Sequence, residues 1–426
     1  MYPIVLIAVS VLFAAITWRD LRLGLSLIAA ALPTYLLRFL IGPIPMTLLE
    51  VLSLILVATW IVERSKGGHL VPPGWGLPLV LLLVAATISV LVAPDKISAL
   101  GIWKAYFVEP MLVFVVAVDA FGKLKETRYK IEDGLLVAIC LGGLFVAICA
   151  IVQTVTSLGI PAPWDVEGRV VSIFPYPNAV GLYLAPVIVM AALQAGRRET
   201  RRIVRLGWAA TAIVSTIAIF LSQSEAAIVA VVATFLVIGF VTKKTRIASV
   251  GIAILAIIAV LVFPPLCDKM TFNDYSGQVR RSQWRETILM LADHPAFGAG
   301  LNGYPATMSA YHTDEQYEIF QYPHTLVLNV WTELGALGLV AFVMIAWRVV
   351  VTVRRGVDVV GRGAGLSGSA GDPPMAVTMA FLALLAMTIH GLADVSYFKN
   401  DLAMMTWLLL AVIAASSYVP TDDKRT

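Results

Sequence analysis

Cysteine and charge are what this chain has least of. Three of its 426 residues are Cys. Cys140 and Cys149 fall in one apolar run, and Cys267 stands alone at the start of a polar stretch. That leaves no disulfide framework and no zinc-ligand spacing. Charged residues make up 14% of the chain, against about 25% in an average soluble protein, so soluble domains have little room. No internal repeat is visible, which speaks against an inverted-repeat transporter. The start, Met1 to Ile4, has no basic n-region and no small-residue cleavage site after it, so it reads as a retained first helix. The net charge of +4 is modest, and nothing in its distribution calls for a nucleic acid.

What the chain has in abundance is apolar: 59% of its residues. A bilayer core takes roughly 20 apolar residues per helix, and a scan at that length finds about 13 runs. They lie near 3–17, 23–41, 44–62, 77–93, 105–121, 134–158, 176–195, 207–222, 226–242, 247–265, 325–352, 375–393 and 402–418. The expected fold is all-α: one polytopic integral membrane domain over 1–426, with about 12–13 transmembrane helices.

Basic clusters recur in every second connector: Arg19/Arg22, Arg64/Lys66, Lys123/Lys125/Arg128/Lys130, Arg197/Arg198/Arg201/Arg202/Arg205, Lys243/Lys244/Arg246 and Arg354/Arg355/Arg362. The positive-inside rule puts these in the cytoplasm. The connectors 42–43, 94–104, 159–175, 223–225, 266–324 and 394–401 are then extracytoplasmic, with 266–324 the one large loop. The stretch Gly361–Pro374, rich in Gly, Ser and Pro, reads as a cytoplasmic linker.

The large loop collects what the rest of the chain avoids. It carries Arg280, Arg281, Trp284, Arg285, His294 and His312, and His324 stands at its end. Arg281 and Arg285 are spaced i, i+4 on a helix-like segment with Trp284 beside them. Like charges at that spacing repel unless an anion or carboxylate lies between them. They hold a phosphate-like anion, pair with Glu286, Asp293 or Asp274, or bind lipid headgroups. Arg169, the cation of connector 159–175, either reaches a lipid-linked phosphate or pairs with Asp165 or Glu167. Asn178 is placed to cap the helix that follows Pro177. His324 opens a helix that carries Glu333 and Gly335. Its imidazole is a candidate general base or an interfacial histidine.

His294 precedes a proline in a turn and reads as structural, while His312 has no companion at ligand spacing, so a metal site is not expected. Gly298, Gly300 and Gly303 spell G-x-G-x-x-G. No strand precedes them, so they mark a sharp turn rather than a dinucleotide site. The aromatics of Thr307–Tyr322 suit interfacial anchoring or sugar stacking. His390 and Asp394, i and i+4 near the outer surface, are functional candidates, or partners of each other or of an arginine.

The ordered motifs resemble the O-antigen ligase / O-antigen polymerase family of bacterial envelope glycan enzymes. One run starts at Arg281, R-x-x-W-R-E-T-I-L-M-L-A-D-H-P-A-F-G-A-G-L-N-G-Y. It resumes as P-H-T-L-V-L-N-V-W-T-E-L-G-A-L-G-L, ending at Leu339. The segment R-V-V-S-I-F-P-Y-P-N-A-V-G from Arg169 to Gly181 and the late H-G-L-A-D of His390–Asp394 also fit. The chain departs from the family at Ser224-Glu225, where Ser-Arg is frequent, and at His324-Thr325, where His-Asn is common. The resemblance implies transfer of a glycan from an undecaprenyl-diphosphate carrier to an acceptor hydroxyl. The acceptor is the lipid A–core of lipopolysaccharide for a ligase, or a second lipid-linked glycan for a polymerase. It implies an inverting reaction without metal or cofactor, in the bacterial inner (cytoplasmic) membrane with the active site facing the periplasm. By the same resemblance Arg169 and Arg285, supported by Arg281, hold the diphosphate, and His324 orients or deprotonates the acceptor. Asp394, Glu333 and Trp284 support the site. The competing readings are a secondary transporter or flippase and a non-catalytic assembly component.

Overall fold

The computed structural model of the chain describes residues 2–42, 44–63, 70–122, 128–197, 200–314, 316–361 and 375–417. Arg64/Lys66, Lys123/Lys125, Arg198, Glu315, the linker from Arg362 onward and the C-terminal tail lie outside them. The fold is a helical bundle, as the composition requires, and the all-α, multi-pass class holds. Span by span, the helices depart from the apolar runs in both directions: Leu21–Ala30 and Met375–His390 are shorter than the runs 23–41 and 375–393, while Arg202–Ser222 is longer than 207–222. Among the described residues five are long and apolar enough to cross a bilayer: Lys96–Phe121, Gly134–Thr156, Pro177–Gly196, Arg202–Ser222 and Leu326–Arg355. A bent pair, Arg246–Val262 with Cys267–Asp293, adds at most one more. The other apolar helices run 10–17 residues.

One run is not a span at all. Pro33 cannot supply a helical N–H, so the helix Leu21–Ala30 stops and a 3₁₀ turn, Leu32–Leu36, follows. The chain then makes an antiparallel hairpin, Arg38–Ile41 with Ile44–Thr47, in register Arg38↔Thr47 to Ile41↔Ile44. The apolar stretch 23–41 is thus a short helix, a turn and a strand. The next helix starts only at Leu48.

Two helices form the centre. Nearly every residue of Pro177–Gly196 is buried, and all of Asn400–Ala415 except Thr406. The fully buried Trp407 donates its indole N–H to the Tyr397 hydroxyl at 2.9 Å, which in turn donates to the Tyr106 carbonyl at 2.6 Å. At the periphery, Arg246–Val262 turns its apolar side chains outward, as a lipid-facing helix must, and buries Ser249 against Gly239.

The connectors expected outside do meet at one end of the bundle. Lys104 Nζ reaches the Pro45 carbonyl of the hairpin at 3.4 Å. Asn302 of the large loop donates to Ser98 Oγ at 2.8 Å. Val170 N–H bonds the Leu221 carbonyl at 3.3 Å. Lys269 of the loop pairs with Glu225 of connector 223–225. Leu326 N–H bonds the Gly391 carbonyl at 2.7 Å. Meanwhile Arg348, near the far end of the run 325–352, bonds the carbonyl of Pro73, in a connector assigned to the other side, at 2.6 Å.

The glycine-rich turn is a docking element. Ala299 N–H bonds the Thr332 carbonyl at 2.7 Å, and Ala336 N–H the Ala296 carbonyl at 3.0 Å. The helix Leu326–Gly361 is broken at Gly335 (φ 67°, ψ −172°) to receive it. A side chain at Gly298 would run into the Thr332 carbonyl, and one at Gly335 into that of Ala296. The glycines are there for close backbone approach.

Candidate active site

His324 sits in the left-handed region (φ 48°), two residues before its helix begins. A non-glycine residue is uncommon there, and Ser157, Ser172, Gln223, Phe272 and Asn302 share the conformation. Two contacts hold His324. The indole N–H of Trp284 donates to the carbonyl of Pro323 at 2.8 Å, pinning the preceding peptide. The rings of Phe320 and Tyr322 pack edge-on against the imidazole, with centroids 5.0 and 5.2 Å away. Its Nδ1 is buried and points at Asp394 Oδ1, 3.9 Å away, while 17% of the side chain stays open.

Asp394 is buried in the loop between the helices Met375–His390 and Asn400–Ala415. Its own neighbour's N–H, that of Val395, donates to Oδ1 at 2.8 Å, and Asn178 Nδ2 donates to Oδ2 at 3.3 Å. The Asn178 carbonyl oxygen accepts from Arg169 Nη2 at 3.3 Å. A hydrogen-bonded line therefore runs Arg169–Asn178–Asp394, and His324 stands 3.9 Å beyond it in ion-pair reach, its Nδ1 without a hydrogen bond among the described residues. Arg169 is further fixed by Nε to the Ser222 carbonyl at 3.2 Å, by Glu167 at 3.5 Å, and by the Trp164 ring at 5.1 Å. The Glu167 pairing expected as an alternative is present. It is half-exposed and leaves the link to Asn178 intact. Asn178 itself is no helix cap. Tyr176 occupies that position, Pro177 is the first helical residue, and the amide is free to bridge.

The loop helix Tyr275–Asp293 carries the other arginines on two faces. Arg280 and Trp284, i and i+4, share the face toward the histidine, and Arg280 lies within electrostatic reach of the buried His390. Lys399, buried against the Phe174 ring at 3.9 Å and paired with Asp401 at 3.2 Å, is within reach of Asp394. Neither Arg280 nor Lys399 was singled out as a site residue by the sequence. Periodicity offered a clue for Arg280, which precedes Trp284 by one turn. No local pattern marks Lys399. His390 is buried with both ring nitrogens unpartnered among the described residues.

Arg281 and Arg285 face elsewhere. They line a cavity of about 470 Å³ with Gln278, Ser282, Glu286, Thr313, Asp314 and Tyr317. Glu333 is also apart: its carboxylate accepts from Asn302 N–H at 2.7 Å and so anchors the glycine-rich turn.

Across that cavity His312 bonds Glu286 through Nδ1 at 3.0 Å and the Tyr317 carbonyl through Nε2 at 3.0 Å. A ring facing two acceptors needs both protons. The Glu286 hydrogen bond accordingly raises the imidazole above its ordinary value, aided by the nearby carboxylate charge. Burial alone would push Glu286 up. The N–H groups of Thr313 and Asp314, the Thr313 hydroxyl and the His312 ring outweigh it and hold the carboxyl below the usual range.

This geometry coincides with a known sequence pattern. Residues 210–343 match the family model described as O-antigen ligase. Over that stretch, less than half of its length, the chain is similar to the O-antigen ligase/polymerase family. No curated protein matches the chain. The matched stretch holds the large loop, His324 and Glu333, whereas Arg169, Asn178 and Asp394 lie outside it. Folding completes the site from beyond the O-antigen ligase domain. The family is one of membrane enzymes of glycosyltransferase type, and its members work on lipid-linked glycans.

Proposed function

We propose that this protein transfers a glycan from an undecaprenyl-diphosphate carrier to an acceptor hydroxyl. The site faces the periplasmic side of the bacterial inner membrane. The observation that carries the reading is the polar line from Arg169 through Asn178 and Asp394 to His324. It joins a permanent cation to a carboxylate–imidazole pair. The alternating basic connectors support the orientation.

In this reading Asp394 keeps the Nδ1 proton of His324 directed at itself, which leaves the Nε2 lone pair for the acceptor. Nε2 takes the proton as the acceptor oxygen attacks the anomeric carbon. The bond from that carbon to the diphosphate oxygen breaks on the opposite face, so configuration inverts. The departing diphosphate gains charge, and Arg169 with Arg280 stabilises it. Guanidinium groups keep their charge at any relevant pH and bind phosphate oxygens in pairs, so they supply what a metal ion would. The sequence resemblance gave the diphosphate to Arg285 and Arg281 as well; their cavity is taken up below.

The test is transfer in proteoliposomes from undecaprenyl-diphosphate glycan, offered lipid A–core or a second lipid-linked glycan. His324→Ala and Arg169→Ala are each expected to abolish product while the protein still inserts. Normal product from both variants would overturn the assignment. Product on lipid A–core, the expected outcome, makes the protein a ligase; lengthened lipid-linked glycan makes it a polymerase.

A further inference from the structure

We propose that the cavity lined by Arg281 and Arg285 is a second binding site, which takes an anionic group on the sugar part of the substrate rather than the carrier diphosphate. It rests on the glycan-transfer reading above. The charges in the cavity wall are unevenly spent. Glu286 already accepts from His312, from the Thr313 N–H and hydroxyl, and from the Asp314 N–H. Asp314 accepts from Ser282 and Gln316. Arg281 and Arg285 have no hydrogen bond or ion pair among the described residues. Each guanidinium offers five N–H donors in a fork that matches carboxylate or phosphate oxygens. At i, i+4 the two repel each other, and an anion between them removes that repulsion.

Position separates this site from the transfer centre. The diphosphate is bonded to the carbon that reacts, so it lies beside His324, on the Trp284 face of the loop helix. Arg281 and Arg285 are turned about 100° or more away from Arg280 and Trp284, respectively, across a helix roughly 10–12 Å wide. A chain of sugars reaches both faces; one diphosphate does not. The rest of the lining suits a saccharide. Gln278, Ser282 and Thr313 present groups that bond sugar hydroxyls. Tyr317 packs edge-on to the exposed Tyr275, with centroids 6.0 Å apart, forming an aromatic rim. The volume of about 470 Å³ falls in the roughly 300–1,000 Å³ range of small-molecule sites.

The experiment measures binding, not turnover, so it stands whether or not His324 is the base. Full-length protein in nanodiscs is titrated with a glucuronic acid disaccharide, glucose 6-phosphate, a neutral disaccharide and undecaprenyl diphosphate, each followed by ligand-observed NMR. The wild type should bind the acidic disaccharide or the sugar phosphate more tightly than the neutral sugar. Whichever binds tells carboxylate from phosphate recognition. Arg281→Gln/Arg285→Gln should weaken that binding at least tenfold and leave undecaprenyl diphosphate unchanged, and Arg281→Lys/Arg285→Lys should restore part of it. Two results overturn the inference: neither anionic sugar preferred by the wild type, or undecaprenyl diphosphate affinity lost in the Gln variant. The latter would return the pair to the carrier diphosphate.

Discussion

Asn178 is the joint of the site, and replacing it tests the whole line. Its amide accepts from Arg169 and donates to Asp394, both at 3.3 Å. Each bond has a charged partner, which is worth about 1.5–3 kcal/mol. Both are longer than the common 2.9–3.0 Å, so the low end applies, about 3 kcal/mol together. If that energy serves to orient Arg169 and Asp394 in the transition state, Asn178→Ala should lower kcat by about two decades, at 1.36 kcal/mol per decade. Asn178→Asp separates the two links. Its carboxylate still accepts from Arg169 but sets a second negative charge against Asp394. It should therefore fall further than Ala if the Asp394 link dominates, and recover toward wild type if the Arg169 link does. The assay is kcat and KM for transfer in proteoliposomes, with thermal unfolding in detergent as the folding control. A folded Asn178→Ala variant within twofold of wild type in kcat would refute the coupling.

The wall of the cavity should be fixed only within a pH window. The His312 contribution, from a raised pKa, is full below the ordinary value near 6.5 and lost as pH rises through the raised one. The Glu286 contribution, from a lowered pKa, is full above the ordinary value near 4.3 and lost as pH falls through the lowered one. Hydrogen exchange of residues 312–314 and 316–317 should be slowest between those limits; flat protection across pH would contradict it. Glu333→Ala strands the Asn302 N–H and should cost about 1–3 kcal/mol, while Glu333→Gln, which keeps an acceptor, should cost less. Equal shifts in unfolding temperature would remove the anchoring role. A chelator should leave transfer intact; loss that added divalent metal restores would point to metal-assisted chemistry.

The sequence made the bundle legible because bilayer burial leaves a long-range mark: apolar runs and alternating basic connectors. Charge alone divided the connectors into two groups, and the structure brings several of one group together. Hydropathy does not see where a run breaks, so the Pro33 turn and the hairpin at Arg38–Thr47 were folded into spans. At the site, His324, Arg169, Asp394 and Trp284 were readable as residue types in unusual places. Their connection was not, because Asn178 and Asp394 meet from 216 positions apart. The arginines show a finer limit. Arg280 and Arg281 are adjacent in sequence, yet one residue is about 100° on a helix, enough to move a charge from the histidine face to the cavity.

The helix Asn400–Ala415, among the most deeply buried, is also the latest made of those described. Its leading loop brings Asp394 and Lys399, so a ribosome must make every helix from Tyr2–Arg19 to Met375–His390 before the proposed His324–Asp394 pair can exist. A half-inserted protein holds its arginines and His324 at the membrane surface without the carboxylate that orients the imidazole. In the proposed mechanism, transfer thereby waits on the insertion of the last described helices. A truncation before residue 394 should yield a chain that leaves lipid-linked precursor untouched, and one whose open centre invites membrane proteases.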